Sequence, residues 1–181
     1  MDRNPNLVRY DIFQPFPTIC AFTTTKSTVP VERVRYSNVP ENKAKLAEAL
    51  ALEAEQMVYP DQTHSSCVAA IQEVPEAVIS ETDALVTNQP GLCLCVQTAD
   101  EVVAAARKSI PNVETTLHKN STGNFHFNLW EANRQLLLKS GVPAQNIEVL
   151  GACSFSEAEK YYSARREGVD TGRMVSGIMI L

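Results

Sequence analysis

Histidine, glycine and tryptophan are scarce in this chain. Of 181 residues, three are histidine, seven are glycine and one is tryptophan. The histidines, His64, His118 and His126, are scattered and do not form an HExxH zinc helix. The glycines form neither a GxGxxG turn nor a phosphate-binding loop, and there is no GxSxG elbow. The usual sequence basis for a dinucleotide fold, a P-loop nucleotidase or an α/β-hydrolase is therefore missing. No block of basic residues occurs, and 16 Lys and Arg stand against 21 Asp and Glu, for a net charge of -5. That balance argues against nucleic acid and anionic membranes as partners. No apolar run approaches the roughly 18–20 residues of a membrane-spanning helix. The opening MDRNPNLVRYDIF lacks the continuous apolar core of a signal peptide. The five cysteines, Cys20, Cys67, Cys93, Cys95 and Cys153, are odd in number and sit mostly in apolar runs. They read as reduced thiols of a cytoplasmic protein.

Apolar residues are plentiful, at 44% of the chain, enough for one domain with a sizeable core. Residues 7–14 and Thr18–Thr25 read as strands, the second rich in β-branched and aromatic residues. Pro40 opens a helix that continues through the Ala-, Leu-, Glu- and Lys-rich run to Gln56. Met57–Tyr59 and Cys67–Ile71 are short strands on either side of Pro60–Ser66, which places His64 in a polar notch. Ala84–Val86 and Leu92–Val96 flank a Pro90-Gly91 turn and are expected to pair as a hairpin. Glu101–Ser109 looks helical and 112–124 reads as a loop. Asn128 caps a further helix, with Glu131 in a capping-box position and Gly141 as the stop. Ile147–Cys153 and Met174–Leu181 complete the strands, with a short helix or turn over Ser156–Arg166. The irregular alternation predicts an α+β domain of mixed β-sheets flanked by helices, rather than a doubly wound parallel sheet.

Chemistry-bearing side chains gather in three places. The strand ending in Gln97-Thr98-Ala99-Asp100 opens to solvent at a polar tip, a common place for a site. The notch holds His64, although a lone histidine is more often structural than catalytic. Arg165 and Arg166 form a pair that either faces solvent or grips a phosphate or carboxylate. In addition, Cys93 and Cys95 share one face of a strand, where two thiols either fill the core or hold a metal.

Four stretches together resemble the YfiH family, also described as the laccase-domain or multicopper polyphenol oxidase family. They are AFTTTK (Ala21–Lys26), DQTHSS (Asp61–Ser66), DALVTNQPGLCLCVQTAD (Asp83–Asp100) and the section from Phe127 to the end, with its Arg-Arg-x-Gly and Thr-Gly-Arg signatures. The second is similar to the family's Gln-x-His-Gly motif, and the third to a strand pair that ends in Thr-Ala-Asp-Cys. The stretches follow in family order and cover well over half the chain, which implies a single YfiH-like domain over residues 1–181. The resemblance implies a purine nucleoside phosphorylase acting on adenosine or inosine with phosphate, with adenosine deaminase activity as a companion.

The resemblance also implies one transition metal, zinc with copper as the alternative, held by two histidines and a cysteine. Carried over residue by residue, only His64 is in place as a ligand. Position 101 is Glu101 where relatives have cysteine, and the later His-Ala-Gly-Trp-Arg-Gly motif does not occur. The chain thus departs from the family pattern near 26–31 and at 100–101. Either these segments belong to a longer form of the protein, or this is a relative that has lost them. Under the enzyme reading His64 is a metal ligand and catalytic residue, and Asp100 supports the site. Gln62 orients neighbouring groups, and Arg165, Arg166 and Arg173 contact phosphate or substrate. The alternatives are a non-catalytic binding or structural protein on the same scaffold, and a copper-dependent phenol oxidase.

Overall fold

Strand partners organise this molecule more than helices do. The computed structural model describes residues 4–29, 40–63, 65–76, 78–98, 116–119, 125–168 and 170–181. The expected helix over Glu101–Ser109 lies outside the described residues, as do His64, Asp100 and Glu101. Two compact units are present, Met1–Asp100 with Cys153–Leu181, and Glu101–Ala152.

The first unit is built on a five-stranded sheet in the order β1-β2-β9-β6-β3. Its strands are β1 (Leu7–Arg9), β2 (Ile19–Thr24), β3 (Met57–Val58), β6 (Cys93–Thr98) and β9 (Met174–Ile180). All neighbours are antiparallel except β3 and β6, which run parallel. The central strand β9 is the apolar C-terminal run foreseen from sequence, and its register sets both faces of the sheet. One face carries Phe22, Cys93, Cys95, Val175 and Met179 and packs with Leu46, Ala47 and Leu50 of helix α1 (Pro40–Leu50) into the main core. On the other face, Val58 and Leu94 form a second apolar cluster with Ile71, Leu92 and Leu85. That cluster draws on a two-stranded parallel ribbon of β4 (Val68–Ala70) and β5 (Ala84–Val86).

Several sequence expectations are corrected. The Ala84–Val86 and Leu92–Val96 runs do not pair as a hairpin, because β5 pairs with β4 while β6 lies between β9 and β3. The Pro90-Gly91 turn instead docks on the end of β9, with the Gly91 amide donating to the Ile180 carbonyl at 2.8 Å. The first strand ends at Arg9, and Asp11–Phe13 form a single 3₁₀ turn. Helix α1 stops at Leu50, six residues early. Ala51 takes a left-handed φ of 54°, and the Leu52 amide reaches back to the Ala47 carbonyl at 2.9 Å. This is the hydrogen-bond pattern of a helix C-terminal stop, made here without a glycine. No strand forms over Ile147–Cys153.

The second unit contains β7 (Leu117–Lys119) and β8 (Phe125–Phe127), an antiparallel pair partly inside the stretch expected to be loop. It also contains helix α2 (Leu129–Lys139), whose N-cap is the expected one: the Asn128 side chain accepts from the Glu131 amide at 3.1 Å. A four-residue helix, α3 (Ala164–Glu167), belongs to the first unit. Among the described residues no helix is long and apolar enough to cross a membrane.

Candidate functional site

The loop that follows β3 is fixed at both ends. Pro60 bridges to Ile79, and the Asp61 amide donates to the Ile79 carbonyl at 2.9 Å. Gln62 then reaches the far end of β6, where its Oε1 accepts from the Gln97 amide at 2.9 Å. Three residues on, the backbone amide and hydroxyl of Ser65 both donate to Asp83 Oδ2, at 2.7 and 2.6 Å. The Asp83 amide in turn donates to the Cys67 carbonyl at 3.1 Å. One loop therefore ties the polar end of β6 to the start of β5, and these are the segments that carry the Gln-x-His and Asp-Ala-Leu-Val stretches.

Asp83 also lies on the rim of an open cavity of about 300 Å³ on the second face of the sheet. Tyr10 and Phe13 form one wall, with rings edge to face at 6.4 Å, and Ala84 and Leu85 form another. The floor includes Leu94, Val96 and Ile178. One edge is polar: the Tyr10 hydroxyl bonds Thr23 Oγ1 at 2.5 Å, and Thr23 bonds Ser176 Oγ at 2.6 Å. A mostly apolar pocket with a few convergent polar groups is the usual form of a small-molecule site.

The arginines fall into different roles. Arg166 Nη1 donates to the Ser154 and Phe155 carbonyls, each at 2.6 Å, and Nη2 to the Tyr161 carbonyl at 2.7 Å and to Glu167 at 2.6 Å. Its fork clasps the turn over residues 154–161. Arg173 Nη1 donates to the Thr171 carbonyl at 2.6 Å. Arg165 is exposed on α3, and among the described residues it makes no hydrogen bond. The Thr-Gly-Arg signature has a steric basis: a Cβ on Gly172 would lie 2.7 Å from the Tyr162 ring.

Glu167 is the anionic centre of this corner. Lys26 Nζ bonds it at 2.8 Å and also lies 5.1 Å from the centre of the Tyr162 ring. Desolvation pulls the Glu167 pKa upward, but hydrogen bonds from Lys26, Thr171 and Arg166 outweigh it and hold the carboxyl at about 2. Tyr162 is pushed up by desolvation and by the Glu167 charge. Because the folded carboxyl ionises below its ordinary value of 4.5, its contribution to stability is complete above about pH 4.5 and disappears as pH falls through 2. Glu167→Gln should therefore melt lower than the parent at pH 7, and the two curves should converge between pH 4.5 and 2. A gap that persisted at pH 2 would contradict this account.

Of the residues singled out from sequence, the structure brings Gln62 to the end of β6 and sets Arg166 in a loop clasp. It does not describe His64 or Asp100. Sequence reasoning missed Asp83, Ser65, Tyr10 and Phe13. Asp83 and Ser65 had a signal, as members of the Asp-Ala-Leu-Val and Asp61–Ser66 stretches, whereas Tyr10 and Phe13 had none.

The chain matches the family model described as "Multi-copper polyphenol oxidoreductase laccase" over residues 33–104 and again over 100–181. It is 24% identical to a purine nucleoside phosphorylase of Bacteroides thetaiotaomicron, in an alignment covering 98% of this chain and 97% of that protein. That alignment runs over 265 residues, against 181 here, so the relative carries segments without a counterpart in this chain. A second relative, adenosine deaminase RL5 from an unknown prokaryotic organism, is 41% identical over 49% of this chain and 35% of its own length. The crystal structure of YlmD from Geobacillus stearothermophilus superposes with a TM-score of 0.82 at 20% identity, covering 99% of this chain and 98% of that one. The YfiH structure from Bacillus licheniformis gives 0.79, also at 20% identity, over 98% of this chain and 97% of that one.

Proposed function

Because the chain belongs to the multi-copper polyphenol oxidoreductase laccase family, we propose that it acts on purine nucleosides as a phosphorylase, with adenosine deamination as a companion activity. The relatives named for those two reactions support the substrate class. The observation that carries the reading is the double anchoring of the loop around His64, through Gln62 to β6 and through Ser65 to Asp83 at the cavity rim.

Phosphorolysis joins a phosphate oxygen to the sugar's anomeric carbon and breaks the bond from that carbon to the purine nitrogen. The leaving purine must gain a proton. His64 is the group proposed to hold that proton, because imidazole titrates near neutrality. Asp100, which follows β6 in the chain, is proposed to orient the imidazole. The cavity would seat the base between the Tyr10–Phe13 wall and Leu85, with the Tyr10–Thr23–Ser176 hydroxyls along one edge. Arg165 is the arginine proposed for phosphate, because Arg166 is committed to its clasp.

The donor set does not fit the zinc site that family resemblance implies. Of its three ligand positions only His64 carries a ligand residue of the family type, since position 101 is Glu101 and the later histidine motif is absent. A catalytic zinc is normally held by three protein ligands, so no step is assigned to a metal. The same deficit leaves copper-dependent phenol oxidation without the several sites it needs.

That deficit also favours a second reading, a protein that binds purine nucleosides without turning them over. Purified protein supplied with inosine and phosphate separates the two. The phosphorylase reading expects hypoxanthine release, reduced by about a hundredfold or more in His64→Ala. Inosine binding without hypoxanthine release would overturn it in favour of the binding protein.

A further inference from the structure

Sulfur is concentrated in one patch of the main core. Five of its twelve buried side chains are Cys20, Met57, Cys93, Cys95 and Met179. Strand register places four of them in one row across the sheet: Cys20 opposite Met179, Met179 opposite Cys93, and Cys93 opposite Met57. Cys95 adds a second thiol on the same face of β6. Its Sγ lies 3.7 Å from that of Cys93, and both residues are fully buried. This separation is that of a thiol–thiol hydrogen bond, well beyond the roughly 2.05 Å of a disulfide.

Two thiols beside thioethers select strongly among ions. Calcium and magnesium require oxygen ligands, and structural zinc requires four nitrogen or sulfur donors. Among the described residues no group of three His, Cys, Asp or Glu side chains is placed to hold a metal. Cuprous ion differs on both counts, being soft and stable in linear or trigonal sulfur coordination. We infer that Cys93 and Cys95 form a binding site for Cu(I), with the thioether of Met57 or Met179 as a further donor. This site lies on the α1 face of the sheet, and the inference is independent of the nucleoside reading.

Charge balance permits such a site in a dry core. Cu(I) displaces the proton of one thiol, which leaves to solvent, and the resulting thiolate–metal unit is neutral. The second thiol and the thioether add lone pairs without adding charge. A divalent ion on the same donors would leave uncompensated charge, which is expensive to bury. No electron is transferred, because the metal enters already reduced.

The test uses the full chain carrying Cys67→Ser and Cys153→Ser, which removes the two thiols outside the core. The protein is titrated anaerobically with Cu(I) against a competing cuprous chelator, and the retained metal is examined by X-ray absorption. The inference expects a single equivalent that resists the chelator, with only sulfur in the first shell, and loss of that equivalent in Cys93→Ala. It is overturned if the chelator strips all copper from the folded protein, or if Cys93→Ala retains copper as tightly as its parent. If Cys93→Ala does not fold, the first shell of the parent decides alone: nitrogen or oxygen donors would show that the core thiols only fill space.

Discussion

Gly177→Val should destabilise the protein by about 3 kcal/mol, the upper end of the usual overpacking range. Gly177 lies in the middle of β9, between Phe22 on β2 and Cys95 on β6. A Cβ there would approach Phe22 Cζ to 2.6 Å and Cε1 to 2.8 Å, with Cys95 Sγ at 3.3 Å. Phe22 is 1% exposed and is one of the largest fully buried side chains, so displacing its ring disturbs the main core. For a domain of this size such a loss lowers Tm by roughly 6–12 °C. The cause is checked by coupling. In a Phe22→Ala background, Gly177→Ala should cost little, because the ring that occupies the glycine's space is gone. Equal penalties in the two backgrounds would contradict the packing account.

Arg166→Ala is the second large effect, at about 3 kcal/mol by analogy with breaking a partly buried charged pair. Three backbone carbonyls and one carboxylate oxygen take hydrogen bonds from its two terminal nitrogens. Its side chain is 21% exposed, so the carbonyls left behind are only partly rehydrated. Arg166→Lys should recover little, because an ammonium cannot reproduce the planar fork. Arg165→Ala, at the adjacent but exposed position, should leave the melting curve unchanged and raise KM for phosphate. If Arg166→Ala melted normally and lost only phosphate affinity, the clasp would be wrong and both arginines would belong to the substrate site.

Much of the sheet was legible from local pattern. The β-branched and aromatic run of β2, the apolar β9 and the Asn128 cap are short-range features, and each appears where the residues put it. Partnership was not legible. Periodicity identifies a strand but not its neighbour, and the Pro90-Gly91 turn suggested a local pairing that the non-local β4–β5 and β6–β9 contacts replace. Helix α1 was overextended because Leu52–Gln56 has good helix propensity, while the stop is made by Ala51 in a conformation no residue type there announces. At the site, Gln62 was reached through its motif. Asp83 meets Ser65 across eighteen residues of chain, and Tyr10 joins Thr23 and Ser176 only through the fold. Nothing local to these residues names their partners, so only the assembled sheet shows them as neighbours.

The central claim is that this scaffold turns over purine nucleosides although two of the family's implied metal ligands are missing. It is tested most directly by following phosphorus and purine together when purified full chain is incubated with inosine and inorganic phosphate. The account predicts hypoxanthine and ribose 1-phosphate in equal amounts, with no product when phosphate is withheld. Folded protein that forms neither product would contradict it.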